Sequence, residues 1–205
     1  MSNSQSYKTI DAISEVLHKD RGSKFIGIAY PTDSIDDVKV QLDQLKETYP
    51  DATHICYAYV LGINGEDYRA NDDGEPNNSA GQPILREIRS ADITNVLVAV
   101  IRYYGGKKLG VSGLIDAYGT AARLALEQTN SVVKVVQKKC WIRHNGAKDF
   151  MVFEYANRLG FTILTHPSQP GGYFEIELPE QNFPDFLLAL ESLPNFDLQE
   201  ELNGH

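Results

Sequence analysis

The sequence of 205 residues has little sulfur and little tryptophan, with two cysteines, two methionines and one tryptophan. Cys56 and Cys140 lie far apart, and two thiols cannot form a disulfide framework or a zinc site of several thiolates, so a reducing compartment is expected. Long hydrophobic runs are also missing, since the run at residues 96–101 is far shorter than the about 20 residues of a membrane-spanning helix. Residues 1–6 have neither the basic start nor the apolar stretch of a secretion signal. We therefore expect a cytoplasmic protein without a membrane partner.

Net positive charge is also missing, because 19 Lys and Arg face 28 Asp and Glu, a formal net charge of −9. Taken alone, this charge argues against a protein that binds nucleic acid with its whole surface. The charge is unevenly distributed, however. Residues 101–148 hold 9 basic and 2 acidic residues, whereas residues 149–205 hold 1 basic and 10 acidic residues. A basic centre thus lies between acidic stretches, although solvated faces without a function carry similar charge runs.

The composition, 42% hydrophobic and 23% charged, is that of a globular protein, and its patterning predicts an α+β chain, a two-domain α/β sandwich. We place the domains at residues 1–133 and 134–205. The first domain is expected to pack two helices against one sheet, with an acidic loop at residues 68–75. In the second domain the predicted order βαββαβ is the ferredoxin-like arrangement, which hosts many functions. In the first domain the predicted strands are residues 14–17, 24–30, 54–61 and 95–104, and the predicted helices are 35–45, 112–128 and a short one at 83–89.

The most unusual stretch is glycine-rich and basic, and it follows a buried strand and precedes a helix: RYYGGKKLGVSGL at residues 102–114. Glycines allow a close backbone approach, and a helix N-terminus presents unpaired N–H groups and a favourable dipole to an anion. A nucleic-acid backbone or another phosphate is therefore the candidate ligand. The alternative is a tight strand-to-helix connection whose glycines serve packing and whose Ser112 caps the helix. The candidate phosphate-binding residues are Arg102, Tyr103, Gly105, Gly106, Lys107, Lys108, Gly110, Ser112 and Gly113.

Known phosphate and nucleophile motifs do not match this stretch. Val111 stands where a P-loop requires its phosphate-binding lysine, and the glycine spacing around Ser112 is not that of a nucleophile elbow. We therefore predict no catalytic residue here.

A second candidate surface site combines His54 with Asp72, Asp73 and Glu75. Three carboxylates within four residues can hold a hard cation or act as acid and base. The segment lacks the alternating ligands of a calcium loop, and its Gly, Pro and Asn content is typical of a turn. Strand alternation places His54 on the same face as Cys56, but two ligands make a weak metal signal, and core packing is the alternative for both. We predict neither a metal site nor a cofactor.

Several motifs follow one another in order through the first domain: SKF at 23–25, HICYA at 54–58, DDGEP at 72–76, SAGQPIL at 79–85, VIRYYGG at 100–106, LGVSGL at 109–114 and AYG at 117–119. Together they resemble the IMPACT family in its bacterial, YigZ-like form. The resemblance covers residues 10–130, while the rest of the chain is similar in the order and length of its elements.

The resemblance implies a first domain shared with a small-subunit ribosomal protein and with a domain of elongation factor G. It also implies a ferredoxin-like second domain similar to the last domain of that factor. Eukaryotic members regulate translation by competing with a starvation-sensing kinase for its activator, through an additional RWD domain for which this chain has no room. We therefore do not carry the kinase connection over, and the resemblance supplies no catalytic residues.

Three functions stay open at this point. The first is a non-enzymatic, translation-associated regulatory protein that binds RNA or the ribosome through the basic glycine-rich loop, with salt-dependent affinity. The second is an enzyme or small-ligand protein that binds a phosphate-bearing molecule at the same loop, with His54, Asp72, Asp73 or Glu75 as acid or base. This version requires that the two loops lie on one side of the sheet. The third is an adaptor that binds a protein through the acidic second domain.

Overall fold

The structure is a computed structural model that describes residues 6–146 and 148–200. The outer ends of the predicted domains, residues 1–5 and 201–205, and Ala147 lie outside the described residues. Within the described part, the chain forms two compact units, and the division falls between Lys134 and Val135. Among these residues, no helix is both long enough and apolar enough to cross a membrane.

The first unit contains a five-stranded antiparallel sheet in the order β2-β3-β6-β4-β5. The strands are β2 (Ser14–Asp20), β3 (Ser23–Pro31), β4 (His54–Leu61), β5 (Asp67–Asn71) and β6 (Val96–Tyr103). The helices are α1 (Ile35–Thr48), α2 (Gly81–Ser90) and α3 (Gly110–Gln128). A separate two-stranded sheet pairs β1 (Ser6–Ile10), a strand not predicted, with β7 (Ser131–Val135).

Both faces of the five-stranded sheet are covered by helices. Side chains of α2 and α3 pack with Cys56 and Ala58 on one face, whereas α1 packs with Ile55 and Tyr57 on the other. This is the alternation expected for β4, because successive strand residues point to opposite faces. The unit therefore has three helices in two layers, and α2 is the short helix that the sequence predicts at residues 83–89. Ser34 is the N-cap of α1, and its Oγ accepts a hydrogen bond from the Asp37 N–H at 3.1 Å.

The second unit has the βαββαβ order that the hydrophobic pattern predicts, and its antiparallel sheet runs β11-β8-β10-β9. This is the strand order of a ferredoxin-like fold. Its helices bury Val152, Phe186 and Leu190 together with Cys140 and Ile142 of the first strand. The elements are β8 (Gln137–His144), α4 (Phe150–Leu159), β9 (Thr162–Thr165), β10 (Phe174–Pro179), a 3₁₀ turn at Glu180–Asn182, α5 (Phe183–Glu191) and β11 (Phe196–Gln199).

Two local expectations differ from the structure. Part of the expected acidic loop is the edge strand β5, whose exposed, mostly polar residues carry no alternating apolar signal. Helix α3 begins at Gly110, so Ser112 lies inside its first turn and is not the N-cap. Leu109 holds the N-cap position without a side-chain hydrogen bond to the helix, which leaves the first N–H groups of α3 to other partners.

Candidate ligand-binding cleft

The aspartates of the acidic segment hold the backbone in place. Asp72 Oδ1 accepts hydrogen bonds from the N–H groups of Ala80 at 3.0 Å and Gly81 at 2.8 Å, and its Oδ2 accepts from Asn78 at 2.8 Å. This carboxylate therefore caps the N-terminus of α2, where a negative charge is favourable. Asp73 Oδ2 accepts from the Ile55 N–H at 2.6 Å and ties the segment to β4. Both carboxylates therefore hold the backbone of this segment in place, and neither of them lines the cleft described below.

Glu75 is the centre of a buried polar cluster. Its Oε1 accepts hydrogen bonds from Arg102 Nη1 and, at 2.8 Å, from the Tyr118 hydroxyl, and His54 Nε2 lies 3.8 Å from the same oxygen. Glu75 and Arg102 are both buried, so the Arg102 guanidinium is not a surface contact for phosphates as the sequence predicts. It lies 5.5 Å from the ring centroids of Phe25 and Tyr104. The cluster joins the two motifs that sequence reasoning treats separately.

Burial determines the protonation of the groups around Glu75. Burial raises the pKa of the Tyr118 phenol, so Tyr118 donates its proton to Glu75. Burial likewise raises the pKa of the Cys56 thiol, whose Sγ donates to the Asp72 carbonyl at 3.0 Å. Cys56 is therefore a core residue and not a nucleophile. His54 Nδ1 lies 2.7 Å from the Asp73 carbonyl oxygen, which can only accept, so Nδ1 carries a proton and Nε2 faces Glu75.

The glycines of the loop have two different roles. Gly105 packs against the β2–β3 turn so closely that a Cβ there would lie 1.9 Å from the Gly22 carbonyl carbon, and its N–H donates to Ser23 Oγ at 3.1 Å. Gly105 is therefore required for packing. Gly106 and Gly110 have φ values of +83° and +74°, and a Cβ on either would meet open space. These two glycines leave the approach to the start of α3 unobstructed.

The remaining loop residues divide between the surface and the core. Lys107 and Lys108 are exposed, and Ser112 and Gly113 lie in the first turn of α3. Tyr103 packs with the residues that face α1, on the opposite side of the sheet from Arg102, so the structure does not bring these two predicted residues together. Tyr104, the next residue, is 47% exposed and lines the cleft described below, although the sequence patterns do not indicate it as a site residue.

A cleft of about 440 Å³ separates the acidic segment from the glycine-rich loop. The two loops thus face the same space, as a single binding site requires. The polar part of its lining comes from both motifs, and its apolar part comes mainly from the start of α3. The lining residues are Thr53, His54, Glu75, Pro76, Arg102, Tyr104, Lys108, Leu109, Gly110, Val111 and Leu114.

Comparisons with known proteins show the family of the domain that contains this cleft. The model of the Impact N-terminal domain matches residues 21–126, which contain every residue that lines the cleft. The chain belongs to the Impact N-terminal domain family. The IMPACT family member YigZ of Escherichia coli is 35% identical over 115 residues, 55% of this chain and 56% of that protein. An IMPACT family member of Thermus thermophilus is 43% identical over 106 residues, 52% of this chain and 56% of that one.

The chain spans about half the length of the curated IMPACT relatives it matches. Rat Protein IMPACT is 36% identical over 119 residues, which are 55% of this chain and 37% of that protein. A solved structure titled as a hypothetical protein covers 97% of this chain and 98% of its own, with 26% identity and a TM-score of 0.74. That structure therefore shares the fold of both units, whereas the curated matches cover the Impact domain.

The basic centre of this IMPACT-family chain is partly neutralised by ion pairs. Besides Arg102 with Glu75, the structure pairs Arg123 with Glu127 at 2.8 Å, Lys138 with Glu200 at 2.6 Å and Arg143 with Asp197 at 3.0 Å. The net charge of residues 101–148, 9 basic minus 2 acidic residues or +7, already includes Glu127 but not Glu75, Asp197 or Glu200, so it overstates the positive charge available to a ligand. At the cleft, the exposed cations next to α3 are Lys107 and Lys108.

Proposed function

We propose that this chain is a non-enzymatic, translation-associated regulatory protein of the cytoplasm that binds RNA, free or within the ribosome. The proposed contact is the start of α3 with the two lysines before it. The observation that carries the proposal is the open approach to that helix end, next to exposed lysines and an exposed tyrosine, at the rim of a cleft.

The helix end supplies donors for phosphate oxygens. Helix α3 has 19 residues, and its first N–H groups have no capping side chain. Gly106 and Gly110 place no side chain in the path of a phosphate, and Lys107 and Lys108 add two positive charges. Tyr104 offers a ring on which a base can stack. Together these groups provide the phosphate and stacking contacts that RNA-binding proteins use.

The link to translation comes from the family and not from the cleft. The resemblance of the Impact domain to a ribosomal protein and to elongation factor G implies a partner in the translation apparatus. The net charge of −9 limits RNA to a small part of the surface, because acidic faces repel phosphates.

Fluorescence anisotropy with a labelled structured RNA, and sedimentation with ribosomes, at two salt concentrations test the proposal. We expect affinity to fall steeply with salt, and Lys107→Glu with Lys108→Glu to abolish binding at low salt. Lys39→Glu with Lys46→Glu is the matched control, because it makes the same charge change at exposed lysines of α1. Absence of binding at low salt, or equal loss in both double variants, would contradict the proposal.

A second candidate function is the binding of a small phosphate-bearing molecule within the cleft. The meeting of both loops at one cleft favours it, because His54 and Glu75 lie next to the start of α3. The same anisotropy assay separates the two functions, since a small ligand predicts no affinity for RNA.

A further inference from the structure

We infer that the cleft binds one ribonucleotide, with its phosphate at the start of α3, its base on Tyr104 and a ribose hydroxyl donating to Glu75. This inference rests on the proposed function and names the part of RNA that the cleft recognises. The same chemistry occurs in a free ribonucleoside monophosphate and in a terminal nucleotide of RNA.

The buried side of the cleft has polar groups that the protein does not satisfy. Arg102 Nε is buried without a hydrogen-bond partner among the described residues, although its residue lines the cleft. Leaving a buried donor without a hydrogen-bond partner costs about 1–3 kcal/mol of folding free energy, so each such donor in a native structure needs a physical explanation. This donor is independent of the helix N-terminus, and the ligand acceptor that we assign to it is the oxygen of the ribose hydroxyl that donates to Glu75.

Glu75 supplies the complementary acceptor. Its contacts with Arg102, Tyr118 and His54 all fall on Oε1, and Oε2 accepts no hydrogen bond from the described residues. Because Glu75 lines the cleft, Oε2 is available to a hydroxyl group that donates. A ribose 2′- or 3′-hydroxyl is such a donor, whereas the phosphodiester groups of an RNA backbone carry no O–H to donate to a carboxylate.

The rest of the lining divides into a cationic and an apolar part. Lys108 and the first N–H groups of α3 favour a phosphate, while Tyr104, Val111 and Leu114 present apolar surface to a base. A volume of about 440 Å³ lies in the range of small-ligand sites and suits one nucleotide rather than a strand. A nucleotide combines an anion, a hydroxyl donor and a flat apolar ring in the same arrangement.

Isothermal titration calorimetry on the full chain tests the inference with the four ribonucleoside 5′-monophosphates, their 2′,3′-dideoxy analogues and inorganic phosphate. We expect at least one ribonucleotide to bind about tenfold or more tightly than its dideoxy analogue, since a hydrogen bond to a charged group is lost. Inorganic phosphate is expected to bind more weakly than either. Equal affinity for ribo and dideoxy forms would overturn the ribose contact and with it the inference.

Two substitutions test whether the nucleotide binds in the cleft. Val111→Trp fills the cleft from α3 and is expected to abolish nucleotide binding, whereas Val40→Trp changes a similarly exposed valine of α1 and is expected to leave it intact. Glu75→Gln is expected to weaken the preference for ribose over dideoxyribose about threefold or more, because the hydroxyl then donates to a neutral amide oxygen, and a merely less stable fold does not change this ratio. Retained binding in Val111→Trp, or an undiminished ribose preference in Glu75→Gln, contradicts the inference.

A linear RNA and its circular form separate this inference from the proposed function. If a terminal nucleotide enters the cleft, the linear form binds more tightly and the monophosphate competes with it. Equal, lysine-dependent binding of both forms without monophosphate binding would retain RNA binding and reject the nucleotide cleft. Monophosphate binding without RNA binding would retain the cleft and reject the proposed function.

Discussion

The two units each pair an arginine with a carboxylate, and the pairs differ in burial. In the first unit the side chains of Arg102 and Glu75 are 6% and 4% exposed, whereas in the second those of Arg143 and Asp197 are 39% and 36% exposed. Taking two charges out of water costs several kcal/mol per ion, and their attraction often does no more than offset this cost. The buried pair therefore adds little to stability, but it places a fixed charge pair beside a cleft, where a ligand meets it.

Removing the carboxylate from each ion pair should show most clearly how burial changes the cost of breaking the pair. Glu75→Ala leaves the Arg102 guanidinium buried without its carboxylate, and we expect a loss of about 3–5 kcal/mol in the free energy of unfolding. Asp197→Ala leaves Arg143 in contact with solvent, and we expect a loss of about 0–1 kcal/mol. Denaturant unfolding followed by far-ultraviolet circular dichroism measures both, and equal losses would remove the distinction.

The loop after Arg102 offers a second comparison, between neighbouring glycines. Gly105→Ala places a methyl group inside the van der Waals radius of the Gly22 backbone, and we expect a loss of about 2–4 kcal/mol. Gly106→Ala meets no atom but keeps a positive φ, which costs about 1–2 kcal/mol. The same denaturant titration measures both losses in the free energy of unfolding. A larger loss for Gly106→Ala than for Gly105→Ala would contradict the packing role of Gly105.

The hydroxyl that completes the buried cluster should contribute less than the charge pair. Tyr118→Phe removes the hydrogen bond to Glu75 Oε1, and we expect a loss of about 1–2 kcal/mol. Tyr173→Phe is the matched control in the second unit, where the hydroxyl donates to the partly exposed Asp197 at 2.5 Å. We expect Tyr173→Phe to lose less than about 1 kcal/mol in the free energy of unfolding. A larger loss for Tyr173→Phe than for Tyr118→Phe would show that burial does not determine the contribution of these hydrogen bonds.

Thiol ionisation in the second unit gives the smallest effect. Burial raises the pKa of Cys140 to about 11 from its ordinary 9.0, so the unfolded chain releases this proton first as the pH rises. The contribution to stability is complete below pH 9 and is lost between pH 9 and 11, with about 1 kcal/mol lost by pH 10.

Fluorescence of Trp141, the single tryptophan of the sequence, follows the strand that carries Cys140. Unfolding by denaturant at pH 8 and pH 10 measures the loss, and Cys140→Ala serves as the control because it has no thiol to ionise. An identical pH dependence in this variant would assign the effect to other groups.

Local patterns predicted much of the fold. The alternation in β4 and the βαββαβ order follow from spacing within one element or between neighbours. Strand alternation also indicates that Tyr103 and Arg102 point to opposite faces of the sheet. The role of Asp72 has no such local signal, because Asp72 lies eight residues before Ala80, the N-cap position of α2.

The buried cluster could not be predicted in this way. Glu75 lies 27 residues before Arg102 and 43 before Tyr118, and the pairing of β5 with β4, the pairing of β4 with β6 and the packing of α3 bring them together. The count of charges by segment overestimates the basic surface for the same reason, because it does not include contacts between distant residues. Arg102 and Arg143 are paired by tertiary contacts with carboxylates that lie in the acidic stretches on either side.

Nuclear magnetic resonance of the full chain during titration with a short 5′-phosphorylated RNA tests the proposed phosphate site most directly. The backbone amides of residues 110–113 should show the largest, saturable shifts, and Lys107→Glu with Lys108→Glu should abolish them while Lys39→Glu with Lys46→Glu should not. Shifts centred on the strands of the second unit, or no saturable shift at the start of α3, would contradict the placement of phosphate at this helix end.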